Sequence, residues 1–347
     1  MTDTRMAKRL LTTLLCLALA GALSLAPALA EDPHFEDPWP KVSTSPGQRL
    51  TFESLSPFAL NSVEEAAETQ AQARLFLPPE ASADNPVPAA VLLHGAGGVL
   101  GARELTYGPQ LAAQGVAALV IDSFAPRRDL AAGFFERLFN VTEVMLMADA
   151  YAGLGFLDSL PEIDGERVAL IGFSYGGMAS VLAAYEQVAK VLSPNGRRFR
   201  GHVAYYAPCI IRAANPQTTG APILILNGGQ DGLIDPERCQ EIEADLADGG
   251  SEVESIVYPE AMHQWDGRST RPWRPRYTLA PCAYRLQEDG SGIDERTGLP
   301  VSTPLLRRGS LALCASKDGY LIGRDDAVRA ESNRALGAFL AKVFSPS

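Results

Sequence analysis

What most restricts the fold of this chain is the recurrence of short, mostly apolar runs with helix-patterned stretches between them. The runs are Ala89–Leu93, Val116–Ile121, Val168–Ile171, His202–Tyr206, Ile223–Leu226 and Val253–Tyr258. Each stops at a turn signal: His94-Gly95, Asp122, Gly172, Pro208, Asn227-Gly228-Gly229 and Pro259. Runs of this length without strict alternation are what strands covered on both faces look like, so the sheet is expected to be mainly parallel. Helical periods fill the intervals at about residues 102–114, 129–160 (one helix or two), 177–191 and 236–248. A last one covers 325–344, with Leu336, Phe339, Leu340 and Val343 in its apolar stripe. Two earlier pieces, Leu50–Phe52 and Arg74–Leu77, are expected to form an antiparallel entry to the sheet. The order predicts an α/β domain over 48–347 with a doubly wound, mainly parallel sheet and working loops at the carboxyl ends of its strands. Residues 268–324, rich in Arg, Pro and Gly, break the rhythm and read as an insertion before the last helix.

One loop carries chemistry. Gly172-Phe173-Ser174-Tyr175-Gly176-Gly177 lies between a strand-like run and a helix-like one. Glycines there permit a tight strand-to-helix turn that exposes the serine at a helix N-terminus. A serine hydroxyl needs a base to take its proton. The chain has four histidines: His34 in an N-terminal arm, His94 in a glycine-rich turn, His202 opening a strand, and His263 in the loop after the last strand. By position His263 is the base, and His94 belongs to the scaffold. The orienting acid is expected after the preceding strand, where Asp231 stands. Asp235, four residues on at the start of a helix, reads as an N-cap. His94-Gly95-Ala96-Gly97-Gly98 follows the first long strand, so the Ala96 amide is expected to share an oxyanion site with that of Tyr175.

These residues resemble the α/β-hydrolase superfamily and, within it, the dienelactone hydrolase-like family. The similarity runs from about Arg74 to His263, resumes at the last helix, and includes Asp122-Ser123-Phe124-Ala125-Pro126-Arg127. It implies an α/β-hydrolase fold and acyl transfer through Ser174, His263 and Asp231. Two departures stand out. The best-known members use a cysteine where Ser174 stands, and their neighbouring glutamate has no evident counterpart, so lactone specificity does not carry over. The Phe-Ser-Tyr-Gly-Gly string is also similar to the nucleophile turn of prolyl oligopeptidase-type peptidases, although no propeller-like repeat precedes it.

The N-terminus reads as an address. Arg5, Lys8 and Arg9 precede an apolar stretch, Leu10–Leu25, and Ala28-Leu29-Ala30 offers a small-x-small cleavage site, so residues 1–30 are expected to be a secretory signal peptide. The stretch falls short of the ~20 residues of a membrane span, and no anchor is expected after cleavage. Residues 31–47, rich in Pro, Glu and Asp, read as an extended arm. Cleavage near Ala30 would leave 317 residues with net charge −13 instead of −11. A secreted or periplasmic location follows. Such acidity excludes a nucleic-acid surface, which needs a basic stripe, and 46% hydrophobic with 20% charged residues excludes a disordered chain.

Four cysteines remain after cleavage, Cys209, Cys239, Cys282 and Cys314, and an even count in an oxidising compartment favours bridges. The segments of Cys209 and Cys239 border neighbouring strands, which favours that pair and leaves Cys282 and Cys314 to staple the insertion; other pairings remain open. Just past His263 come Trp265, Arg271 and Arg274, candidates for binding a substrate carboxylate or ring, or members of a solvated connector. Phe134, Phe135, Leu138 and Phe139 either pack in the core or cover the pocket. Asn140-Val141-Thr142 has the form of a glycosylation site inside a helical pattern. Neither His34 with Glu36 and Asp37 nor Asp289–Asp294 has the spacing of a metal site. The expected activity is hydrolysis of a small-molecule ester without a cofactor. Amide hydrolysis, or binding without turnover, are the other readings.

Overall fold

The computed structural model describes residues 46–345. The expected signal peptide lies outside them, as does nearly all of the expected arm. An eight-stranded sheet organises the chain in the order β1-β2-β4-β3-β5-β6-β8-β9. β1 (Gln48–Leu55) and β2 (Glu68–Phe76) are the antiparallel entry, with Leu50 opposite Ala73 and β2 antiparallel to β4. From β3 (Val87–Leu93) through β4 (Ala117–Asp122), β5 (Ile163–Phe173), β6 (Gly201–Tyr205), β8 (Ile223–Gly228) and β9 (Val253–Tyr258) every pairing is parallel. The three-residue β7 (Ile211–Ala213) leaves this sheet for a small one described below.

The continuous apolar runs are explained by burial on both faces. In β3, Ala89, Val91 and Leu93 enter one core while Ala90 and Leu92 enter another; in β5, Val168 and Leu170 divide from Ala169, Ile171 and Phe173 in the same way. The second core holds Tyr107 and Leu111 of α1 (Glu104–Ala113) and Leu336, Phe339, Leu340 and Val343 of the last helix. The first holds residues of the helices after β4, β5 and β8. These are α3 (Glu143–Asp158), α4 (Tyr175–Ala183), α5 (Glu186–Leu192) and α6 (Pro236–Asp248); ahead of them the short α2 (Phe134–Asn140) buries no residue fully.

Three details refine or differ from the periodicity. The pattern over 129–160 is two helices, α2 and α3, because Val141 is extended and Thr142 is the N-cap residue of α3. Asn140-Val141-Thr142 therefore sits at a helix break rather than inside a helix. The pattern over 177–191 is likewise broken at Ala184-Tyr185. Finally, segment 268–324 has structure of its own. β10 (Tyr284–Leu286) pairs parallel to β7 and antiparallel to β11 (Gly292–Asp294), and α7 (Pro304–Cys314) follows before α8 (Asp326–Phe344). Cys209 is bonded to Cys239 and Cys282 to Cys314. The second bond ties the start of this small sheet to the end of α7.

The Asp122–Arg127 string has a structural use. The Asp122 carboxylate accepts the amides of Phe124 and Ala125, and Arg127, buried, makes a two-pronged ion pair with Asp149 of α3 at 2.7 and 3.0 Å. Among the described residues no helix is long and apolar enough to cross a membrane.

Candidate active site

Ser174 stands between β5 and α4 with φ 54° and ψ −112°, a left-handed conformation rare for a residue with a side chain. The backbone around it is crowded. A Cβ on Gly172 would overlap the Gly176 carbonyl, and one on Gly176 would overlap the Leu93 carbonyl, so both positions require glycine. The turn is tied down by the Ser174 amide donating to the Tyr205 carbonyl at 2.8 Å.

The structure brings Ser174, His263 and Asp231 together from three loops at the carboxyl edge of the sheet. Ser174 Oγ lies 2.9 Å from His263 Nε2, and His263 Nδ1 lies 2.6 Å from Asp231 Oδ2. The other Asp231 oxygen accepts the Leu233 amide at 2.9 Å, which fixes the carboxylate. All three side chains are buried or nearly so, with His263 1% exposed. A carboxylate on Nδ1 holds the tautomer in which Nε2 is free to accept the serine proton. Asp235 sits elsewhere, as the N-cap of α6, accepting the amides of Glu237 and Arg238.

Ala96 and Tyr175 both border the cavity in front of Ser174. The Tyr175 amide is among the first of α4 and so belongs to the N–H groups a helix leaves unpaired at its start. His94 is buried behind this loop, its Nε2 accepting the Ser123 amide at 3.1 Å and its Nδ1 2.8 Å from the Gly95 carbonyl. Burial pushes its pKa down, which keeps it a neutral strut.

The residues after His263 do not form one group. Trp265 is 0% exposed; its indole N–H donates to Ser332 Oγ at 3.0 Å and its ring packs on Tyr206 and Tyr258, so it is core rather than cavity wall. Arg271 and Arg274 are exposed and absent from the cavity wall, and Arg274 donates to the Asp318 carbonyl at 3.0 Å.

Two buried polar clusters are not foreseen from the sequence. Behind the serine, Arg103 donates to Glu104 at 2.7 Å, and the Tyr206 hydroxyl donates to Asp266 at 2.7 Å while its ring edge meets His263. Burial pushes the Asp266 carboxyl up to about 6. On the other side of the Ser174 turn, the Tyr175 hydroxyl donates to the Val141 carbonyl at 2.8 Å and lies 3.2 Å from Glu143. Arg307 of α7 reaches into the same place, pairing with Glu143 at 2.7 and 3.2 Å and approaching the Tyr175 hydroxyl. Burial opposes the charge on Glu143, yet the Arg307 guanidinium holds its carboxyl below the usual range. The adjacent Arg103-Glu104 pair is a visible signal, but Glu143 and Arg307 are 164 residues apart and only the fold joins them.

The cavity has a volume of about 430 Å³. α2 contributes Phe134, Phe135, Leu138 and Phe139, and α7 contributes Arg307, Leu311 and Ala312. Among the described residues no group of three or more His, Cys, Asp or Glu is gathered as for a metal ion.

Comparison with known proteins gives this arrangement a family. A curated Methylorubrum extorquens protein named for carboxymethylenebutenolidase is 26% identical over 165 residues, 44% of this chain and 52% of its own length. The chain thus spans about half of that relative. Among solved structures, the dienelactone hydrolase-like promiscuous phosphotriesterase P91 from metagenomic libraries is 16% identical, with a TM-score of 0.51 over 86% of this chain and 99% of that one. A structure designated m3DLH is 17% identical, with the same TM-score and coverage. At such identity the likeness concerns the fold alone. The family model for dienelactone hydrolases matches residues 72–278, well over half of the chain and spanning Ser174, Asp231 and His263. The protein belongs to the dienelactone hydrolase family of α/β-hydrolases.

Proposed function

We propose that this protein hydrolyses carboxylic esters through a covalent acyl-enzyme on Ser174. The observation that carries the reading is the unbroken relay from Ser174 Oγ to His263 Nε2 and from His263 Nδ1 to Asp231, with the serine on a strained turn facing a cavity. Ser174 Oγ attacks the ester carbonyl as its proton passes to Nε2, and the amides of Ala96 and Tyr175 receive the oxyanion. The tetrahedral intermediate collapses, the C–O bond to the alcohol breaks, and the imidazolium returns the proton to the leaving oxygen. Water, deprotonated by His263, then attacks the acyl carbonyl, and the acid leaves as Ser174 regains its proton. Asp231 stabilises the imidazolium and does not itself take up a proton.

The same proposal places the enzyme outside the cytoplasm, after removal of residues 1–30, with 31–47 as an arm and 48–347 as the hydrolase domain. Two disulfides within the domain support an oxidising compartment. Incubation with a fluorophosphonate is expected to add one phosphonyl group to Ser174 and abolish ester turnover. Ser174→Ala should lose both the adduct and at least ~10⁴-fold in kcat. Turnover by Ser174→Ala at the parental rate would end the reading.

A further inference from the structure

Resting on that reading, we propose that the substrate is an ester of an uncharged, medium-length alkyl acid, and that α2 and α7 form its acyl-binding site. Three observations converge on this. The first is the wall chemistry: Phe134, Phe135, Leu138 and Phe139 of α2 face Leu311, Ala312 and Ala315 of α7 and its C-terminal end, with Met178, Ile210 and Leu233 also in the lining. Phe134 and Phe135 remain 47% and 49% exposed, so apolar surface stays in contact with water at the cavity until something apolar covers it.

The second is charge. Two cationic side chains border the cavity, Arg307 and Lys317. The Arg307 guanidinium is already engaged by both Glu143 oxygens and the Leu138 carbonyl, and Lys317 is exposed. A carboxylate at the far end of the acyl group would be taken out of water without a free buried partner, which is costly.

The third is direction. The leaving oxygen must lie within reach of His263 Nε2 to receive its proton. Ser174, Tyr175 and Ala96 lie on the same cavity wall as α2 and α7, while His263 is buried with Tyr320, itself a wall residue like Gln264, packed edge-on against its ring. On this assignment the α2–α7 side of the cavity takes the part of the ester that stays on the serine. At 430 Å³ it has room for on the order of ten methylene-sized groups, counting about 30 Å³ for each and allowing a loose fit.

The test uses the chain without residues 1–30, its disulfides intact, and para-nitrophenyl esters from acetyl to hexadecanoyl. Steady-state kinetics on acyl chains should show kcat/KM rising about three- to fourfold per methylene over the short members and falling beyond about decanoyl. Ala312→Phe narrows the wall and should move the optimum toward shorter chains, lowering the decanoyl-to-butanoyl ratio at least tenfold. Leu313→Ser, 71% exposed and off the wall, should keep the parental profile. An adipoyl monoester, carrying a terminal carboxylate, should be hydrolysed at least tenfold more slowly than the hexanoyl ester. A flat acyl profile, a preference for the adipoyl monoester, or chain-length selection that follows the alcohol in a series of acetate esters would each overturn the acyl-site assignment while leaving ester hydrolysis intact. Absence of a Ser174 phosphonyl adduct together with absence of turnover on every ester would overturn both.

Discussion

Two regions meet at Ser174 and differ in how they are held. The sheet loops that carry Ser174 and Asp231 are fixed by backbone: glycines that admit no side chain, a strand pairing on each side, and the Leu233 amide on the carboxylate. The segment 268–324 is fixed by a few strong links, namely the Cys282–Cys314 bond, the Arg307–Glu143 ion pair and three-residue strands. The family match ends at Thr278, so α7, its disulfide and its arginine lie beyond it. The reacting groups therefore sit within what the chain shares with its family, and the far wall of the cavity sits outside it. Such a division lets pocket shape vary while the reaction geometry stays fixed.

The contrast breaks if chemistry fails to follow the sheet loops. Asp231→Asn should lower kcat about 10⁴-fold with little change in KM, since the amide favours the wrong imidazole tautomer. Asp235→Ala should keep the parental rate and lose ~1 kcal/mol of stability in urea titrations, as an N-cap does. A collapse of kcat in Asp235→Ala would reassign the acid.

Next in size is the ion pair. Arg307→Met leaves Glu143 buried and unpaired and should cost ~4 kcal/mol, whereas adding Glu143→Gln should recover most of that loss. No recovery in the double variant would mean that the arginine acts through packing alone. Replacing Cys282 and Cys314 with serine should cost ~3 kcal/mol and open the segment to proteolysis ahead of the sheet core. Simultaneous loss of both regions in limited proteolysis would remove the distinction between them.

The smallest net effect is a pH dependence made of opposing parts. Burial lowers the His202 pKa from 6.5 to about 4, so its contribution is full above 6.5 and is lost as pH falls toward 4. Burial raises Asp266 from 3.8 to about 6, so its contribution is full below 3.8 and is lost as pH rises toward 6. Between pH 4 and 6 the two changes oppose, each up to ~3 kcal/mol. Denaturant midpoints of His202→Phe should fall as pH rises across this window, and those of Asp266→Asn should fall as pH drops. Equal slopes in the two variants would refute the assignment.

The inner strands were legible because burial on both faces writes itself as a mostly apolar run, as in β3 to β6 and β8, whereas β9, at the sheet edge, carries Glu254 and Ser255 and is only partly buried. β7, β10 and β11 were not, since three residues carry no period and the β7–β10 pairing joins segments some 70 residues apart. Of the site, Ser174, Asp231 and His263 could be selected because each follows a recognisable strand. The Arg307–Glu143 pair escaped because its partners lie 164 residues apart and meet only after folding, whereas the adjacent Arg103-Glu104 pair was visible but nothing local marks it as buried. Trp265 misled for the opposite reason. An aromatic beside an arginine-rich stretch looks like a binding residue, yet the ring turns inward onto Tyr206.

The His263 backbone has neighbours of its own: its amide donates to the Leu321 carbonyl at 2.9 Å, and its carbonyl accepts the Gly323 amide at 3.1 Å. The exit of the 268–324 segment is thus stitched to the base in a parallel bridge at Ile322. For anyone recombining this enzyme with its relatives, the segment is not a cassette with free ends. A crossover placed between Tyr320 and Arg324 would cut the thread that seats the imidazole, whereas junctions upstream of Tyr320 could exchange the pocket wall and leave the proton relay seated.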